Sequence, residues 1–256
     1  MNTFIIPFFA VLVISSIFSM FGKGGGSLYT PVLVMLGLGV KTVIPTSLFL
    51  NLVTALVATV VFARNKLVDF KFSSIFLPGT VVGSLLGALL SSRAPISLLL
   101  GIFAAFLAVV GAIMIFTGKG KKKQQPEESR VKGPRAVTIV VLFSFGVGVL
   151  SSLIGVGGGL IIFPFLVLYI GYNAQKAAGA NSYIVTVSSI VGSLSHMALG
   201  DMNYLLLGMT IPAVIIGSAI GSYVTVKASP KFVTAAFGCI LWFFSGEIAL
   251  HLMGVV

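Results

Sequence analysis

Two glycine runs, GKGGG at 22–26 and GVGGG at 155–159, hold the most chemical potential in this sequence. Glycine is disfavoured inside a helix by about 1 kcal/mol relative to alanine, so each run predicts a helix break. A helix that restarts after such a break begins with unpartnered N–H groups and a partial positive charge. With no side chain in the way, an anion can approach those amides closely. Gly24, Gly25, Gly26 and Ser27 would form that start in the first run, and Gly157, Gly158 and Gly159 in the second. The runs differ at their second position, which is Lys23 in one and Val156 in the other. A lysine facing the site would favour anions and attract a dianion more than a monoanion. Neither run fits a soluble nucleotide motif: GKGGGS lacks the GxxxxGKS/T order, and neither run lies between a strand and a helix.

A second polar group follows each run. Thr46, Ser47 and Asn51 are matched by Asn181, Ser182 and Thr186. On a helix, positions 47 and 51 share a face, as do 182 and 186. Their hydroxyls and amides could donate to the oxygens of an oxyanion; the competing role is hydrogen bonding between helices. Enzyme chemistry is poorly served. Ser195 and His196 are adjacent, so they point in different directions on a helix, and no carboxylate pair lies in the apolar runs. The single cysteine, Cys239, excludes an intramolecular disulfide and leaves a Cys/His metal site unsupported. Neither metal nor cofactor is expected. His196 and Glu247 are the ionisable groups that could carry a coupling proton, although both lie near helix ends.

The elements that must position these residues are membrane helices. Of the 256 residues 57% are hydrophobic and 8% charged, with a mean hydropathy of +1.15. Too little charge remains to solvate a globular surface. Apolar runs near 20 residues match the length needed to cross a ~30 Å hydrocarbon core, and the alternation of a barrel strand is absent. Ten segments result: 3–21, 27–39, 42–63, 70–90 and 96–117, then 136–154, 160–172, 176–199, 203–224 and 231–254. Residues 27–39 and 160–172 are too short to cross unaided. The first 21 residues lack the basic start of a secretory signal and have a counterpart later, so they read as mature structure.

The halves are repeats. GKGGG aligns with GVGGG at an offset of 133, Thr46-Ser47 with Asn181-Ser182 at 135, and Pro78, Gly83 and Gly87 with Pro212, Gly217 and Gly221 at 134. Ordered matches with so few gaps indicate internal duplication. The predicted organisation is an N-terminal repeat over 1–117, a basic linker over 118–135 and a C-terminal repeat over 136–256. Gly83/Gly87 and Gly217/Gly221 read as helix-packing pairs. Placing the linker in the cytoplasm puts thirteen of the sixteen basic residues inside, leaving Lys41 and Arg93 outside and Lys23 within its motif. Each half then crosses an odd number of times. The fold class expected is therefore an all-α integral membrane protein with two inverted-topology repeats, helices broken at GxGGG, and about 8–10 membrane segments. Both termini would lie outside a multi-pass cell-membrane protein. Inverted repeats with broken helices are a transporter architecture, and this pairing favours a binding site over mere helix packing at the glycine runs. Lys23 would face that site, snorkel to the cytoplasmic side or pair with a carbonyl.

GKGGGSLYTPVL and GVGGGLIIFPFL, each followed by a small polar cluster (PTSL, GANS), resemble the sulfite exporter TauE/SafE family. The resemblance covers nearly the whole chain, including the duplication and the basic central loop. It implies a transporter, and an exporter in particular, for sulfite, sulfoacetate or another organosulfonate, without fixing which. A carrier using alternating access is the leading reading, and a passive anion channel using the same site is the alternative. The partners expected are this small anion and the lipid bilayer, with a second copy of the chain left open. The net charge of +11 is assigned to lipid headgroups rather than nucleic acid, since seven basic residues lie in the linker.

Overall fold

The computed structural model describes residues 2–90, 96–117, 134–154, 158–197 and 204–252. Every regular element among them is helical. They are α1 (Asn2–Ser19), α2 (Gly26–Met35), α3 (Val40–Arg64), α4 (Phe70–Ser73), α5 (Phe76–Leu90), α6 (Ile96–Thr117), α7 (Pro134–Ile154), α8 (Gly159–Phe165), α9 (Ala174–Met197), α10 (Tyr204–Lys227) and α11 (Pro230–Leu252). A π-helical turn, Leu166–Ile170, extends α8. Among the described residues, Pro45–Arg64, Phe70–Gly87, Tyr204–Lys227 and Pro230–Leu250 are long and apolar enough to cross a membrane. The ten residues of α2 rise only about 15 Å, half of a bilayer core. Gly155, Val156 and Gly157 lie outside the described residues, as do 91–95, 198–203 and nearly all of the 118–135 linker.

The two halves interlock. α1 packs on α10, α5 on α7, α6 on α11, and α3 on both α9 and α10. Small residues permit these approaches. Gly217 lies against Leu12 O and Ser15, Gly221 against Ser16 O, Gly79 against Val141 O and Ser144, and Gly83 against Phe145 O and Val149 N. A Cβ at any of the four would strike a neighbouring helix backbone, which explains glycine at these seams. The same contacts give directions: α1 runs parallel to α10, and α5 parallel to α7. Antiparallel pairs form from α6 with α11 and from α3 with α9. Ser245 Oγ donates to Ala104 O at 2.9 Å and Trp242 Nε1 to Ala108 O at 3.0 Å, while Gly238 packs on Ile115. Asn51 meets Ser189, Thr59 meets Thr186, and Gly179 packs on Leu67.

One end of the molecule collects the basic loops. Tyr172 Oη donates to Asp69 Oδ2 at 2.9 Å, joining the loop after α3 to the loop before α9. Gln175 Nε2 donates to Ala228 O at 2.8 Å, adding the α10–α11 loop. The Thr117 end of α6 points toward the Pro230 end of α11, so the basic linker starts from the same end. Arg64, Lys66, Lys71, Lys176, Lys227 and Lys231 belong to this end. Burial, and then the Asp69 carboxylate, push the Tyr172 phenol above its ordinary range.

Candidate functional site

The first glycine run ends α1 by a defined geometry. Gly22 has φ +63°, its N–H donates to Ser19 O at 3.0 Å, and the Lys23 N–H donates to Phe18 O at 3.1 Å. This is a Schellman ending, whose left-handed residue is normally glycine. A Cβ at Gly22 would also collide with Ala178 O of α9. Gly22 therefore stops the helix and seats it on the other half. Gly24 and Gly26 leave room for the Asn51 side chain, whose Oδ1 accepts from the Gly26 N–H at 2.9 Å. Asn51 thus caps the start of α2 from α3, and its Nδ2 donates to Ser189 Oγ on α9 at 2.8 Å. The Tyr29 ring lies over Gly25, with its hydroxyl 2.7 Å from Thr54 Oγ1.

Lys23 turns into the protein. It is 3% exposed, its Nζ donates to Ser27 Oγ at 2.7 Å, and it stands 4.8 Å from the Phe18 ring centre and 4.9 Å from that of Phe244. Among the described residues no carboxylate pairs with it. Phe244 lies about 21 Å along α11 from Pro230 at 1.5 Å per residue, so the amine sits deep within the helix layer. The lysine stem crosses to the second glycine run: a Cβ on Gly159 would be 2.9 Å from Lys23 Cγ and 3.1 Å from Val185 Cγ2. Asn181 ties both breaks, donating from Nδ2 to Phe21 O at 2.9 Å and to Gly159 O at 3.2 Å. Between this region and the basic end, Phe21, Phe163 and Phe237 cluster edge-on or tilted, with centres 4.3 to 5.9 Å apart. Phe237 is only about 10 Å along α11 from Pro230.

Lys23 to Ser27, Asn51, Gly158, Gly159 and Asn181 therefore lie at or beside the meeting of the two breaks. The remaining polar positions are spent mostly on helix backbone. Thr46 Oγ1 donates to Thr42 O, and Ser182 Oγ to Gly179 O. Thr186 Oγ1 donates to Ser182 O and pairs with Thr59 at 3.0 Å. Ser47 Oγ is buried without a partner among the described residues. Glu247 is exposed on α11, and the side chains of His196 and His251 lie outside the described residues. A family model described as sulfite exporter TauE/SafE matches residues 7–247.

The chain belongs to the sulfite exporter TauE/SafE family. It is 24% identical to the probable membrane transporter protein YunE of Bacillus subtilis (strain 168), over 93% of this chain and 94% of that one. The probable membrane transporter protein MJ0441 of Methanocaldococcus jannaschii is 27% identical, over 87% of this chain and 86% of its own. The probable membrane transporter protein YfcA of Escherichia coli (strain K12) is 24% identical, over 88% and 82%. No solved structure matches the chain. Membership in this transporter family accords with the membrane helices. Within this TauE/SafE chain, sequence reasoning passed over Ser189, Phe18, Phe244 and the Phe21–Phe163–Phe237 cluster. Ser189 could have been found as a polar residue on the face of Ser182 and Thr186; the rings resemble every other phenylalanine in an apolar run. A separate groove of 530 Å³, lined by α1 side chains and Val32, is apolar throughout and offers an anion nothing.

Proposed function

We propose that this chain is a secondary carrier, and an exporter, of a small sulfur-containing anion such as sulfite, sulfoacetate or another organosulfonate. The anion binds near the midplane between two inverted repeats and is moved by alternating access. The observation that carries this reading is Lys23: a buried amine with no carboxylate among the described residues, placed at a helix break and laid across the other break. An ammonium so placed is stabilised by an incoming anion. Its unused donors and the start of α2 both favour negative charge. The antiparallel runs of α3 with α9 and of α6 with α11 support inverted repeats, because these are the pairs that the sequence duplication aligns. The basic end faces the cytoplasm in this reading, with both termini outside.

The burial of Lys23 behind three clustered rings favours a carrier over a passive channel, which needs a continuous path. The test is sulfite flux into proteoliposomes. Wild type should show counterflow, with uptake accelerated by sulfite on the far side. Lys23→Ala should weaken sulfite affinity about 10- to 100-fold, the value of a charge-assisted hydrogen bond. Unchanged affinity in that variant would remove Lys23 from the site, and flux without counterflow would indicate the channel.

A further inference from the structure

We infer that the site selects a monoanion that itself carries a hydrogen-bond donor, such as hydrogensulfite or a hydroxylated sulfonate. This rests on the carrier reading and narrows its substrate class. The deciding group is Asn181, which is fully buried. Its Nδ2 faces two backbone carbonyls, Phe21 O and Gly159 O, and both can only accept. That chemistry fixes which end of the amide is which. Oδ1 is then the free end, buried and without a partner among the described residues. A buried acceptor is satisfied only by a donor. The oxygens of a fully ionised oxyanion supply none, whereas a hydroxyl or a protonated oxyanion does. Asn181 and the stem of Lys23 both lie on Gly159, at the meeting of the two breaks.

Charge points the same way. Lys23 is the one buried charged side chain among the described residues. Coulomb attraction alone ranks a dianion above a monoanion, the order expected from the sequence. Burial reverses it, because the second negative charge must leave water with nothing to neutralise it. Hydrogensulfite fits both requirements; sulfite and sulfoacetate as dianions fit neither.

Titration calorimetry of the purified full chain tests this with three probes of similar size: 2-hydroxyethanesulfonate, ethanesulfonate and sulfoacetate. The hydroxylated monoanion should bind about tenfold more tightly than ethanesulfonate and than the dianion. In Asn181→Leu the preference for the hydroxylated monoanion over ethanesulfonate should vanish. Should that variant misfold, the wild-type ranking stands by itself as the test. Equal binding of the two monoanions overturns the donor requirement, and tighter binding of sulfoacetate overturns the charge requirement. Binding of all three that survives Lys23→Ala, or binding of none, instead overturns the site on which the inference rests.

Discussion

Replacing Gly22 by alanine should destabilise the protein more than replacing Gly37, although the two glycines do the same backbone work. Each is the left-handed residue of a Schellman ending, with φ +63° at Gly22 and +84° at Gly37. Forcing alanine into that conformation costs about 1–2 kcal/mol at either position. At Gly37 nothing else follows, since no atom lies within 4 Å of the added Cβ. At Gly22 the Cβ would land on Ala178 O, 2.7 Å from Ser182 N and 2.8 Å from Ala178 C. These are backbone atoms of α9 and cannot rotate aside. Overpacking of that kind adds about 1–3 kcal/mol, for a total of about 2–5 kcal/mol. The assay is thermal unfolding of purified variants in detergent. At about 2–4 °C per kcal/mol for a chain of this size, Gly22→Ala should melt about 2–12 °C below Gly37→Ala. Moving Gly22 off α9 also pulls Phe21 O from Asn181, so transport should fall in the first variant alone. Melting temperatures within about 1 °C of each other would refute the seating of the first break on α9.

Alkaline pH should reveal the Tyr172–Asp69 contact. The phenol of Tyr172 is held protonated above the ordinary value near 10, so its contribution is whole below about pH 10 and is lost as pH rises beyond it. Wild-type stability should therefore drop above pH 10 more steeply than that of Tyr172→Phe, and identical slopes would exclude the effect. The aromatic cluster gives another outcome. Phe237→Ala removes a fully buried ring, which should cost about 3–5 kcal/mol and raise sulfite leak from proteoliposomes that lack a counter-substrate. A folded variant with no added leak would show that the ring cluster does not close the path.

Helix positions were legible because a membrane sets them by length and apolarity. The segment expected at 42–63 is α3 (Val40–Arg64), 96–117 is α6, and 231–254 is α11 (Pro230–Leu252). The break at the first glycine run was also legible, since consecutive glycines disfavour helix whatever surrounds them. Two irregularities were not. The run expected at 70–90 is interrupted at Ser74–Ile75, and 160–172 contains a π-helical turn. Neither leaves a mark in hydropathy, because both are set by tertiary packing. The partners of Asn51 and Asn181 were hidden for a related reason. Spacing along a helix places a side chain on a face, but Asn51 meets Gly26 and Ser189 only because α2 and α9 are packed on that face. The polar cluster was thus visible as residues, and its division between braces and free groups was not.

The two glycine runs already differ in sequence at Lys23 and Val156, and the packing carries that asymmetry to the meeting of the breaks. The second run presents Gly159 to the stem of Lys23, so its missing side chain is filled by a residue of the first run. One copy supplies charge and the other supplies room. The aromatic cluster is equally one-sided. By the sequence offset of 133, Phe21 and Phe163 correspond to Ile154 and Thr30, so the opposite side of the site has no matching pair of rings. Under the proposed carrier reading, the end that gathers the basic loops is the closed side, and opening it requires Phe237 on α11 to part from Phe21 and Phe163. In that reading the motion belongs to α11 against the two breaks, and not to the breaks against each other.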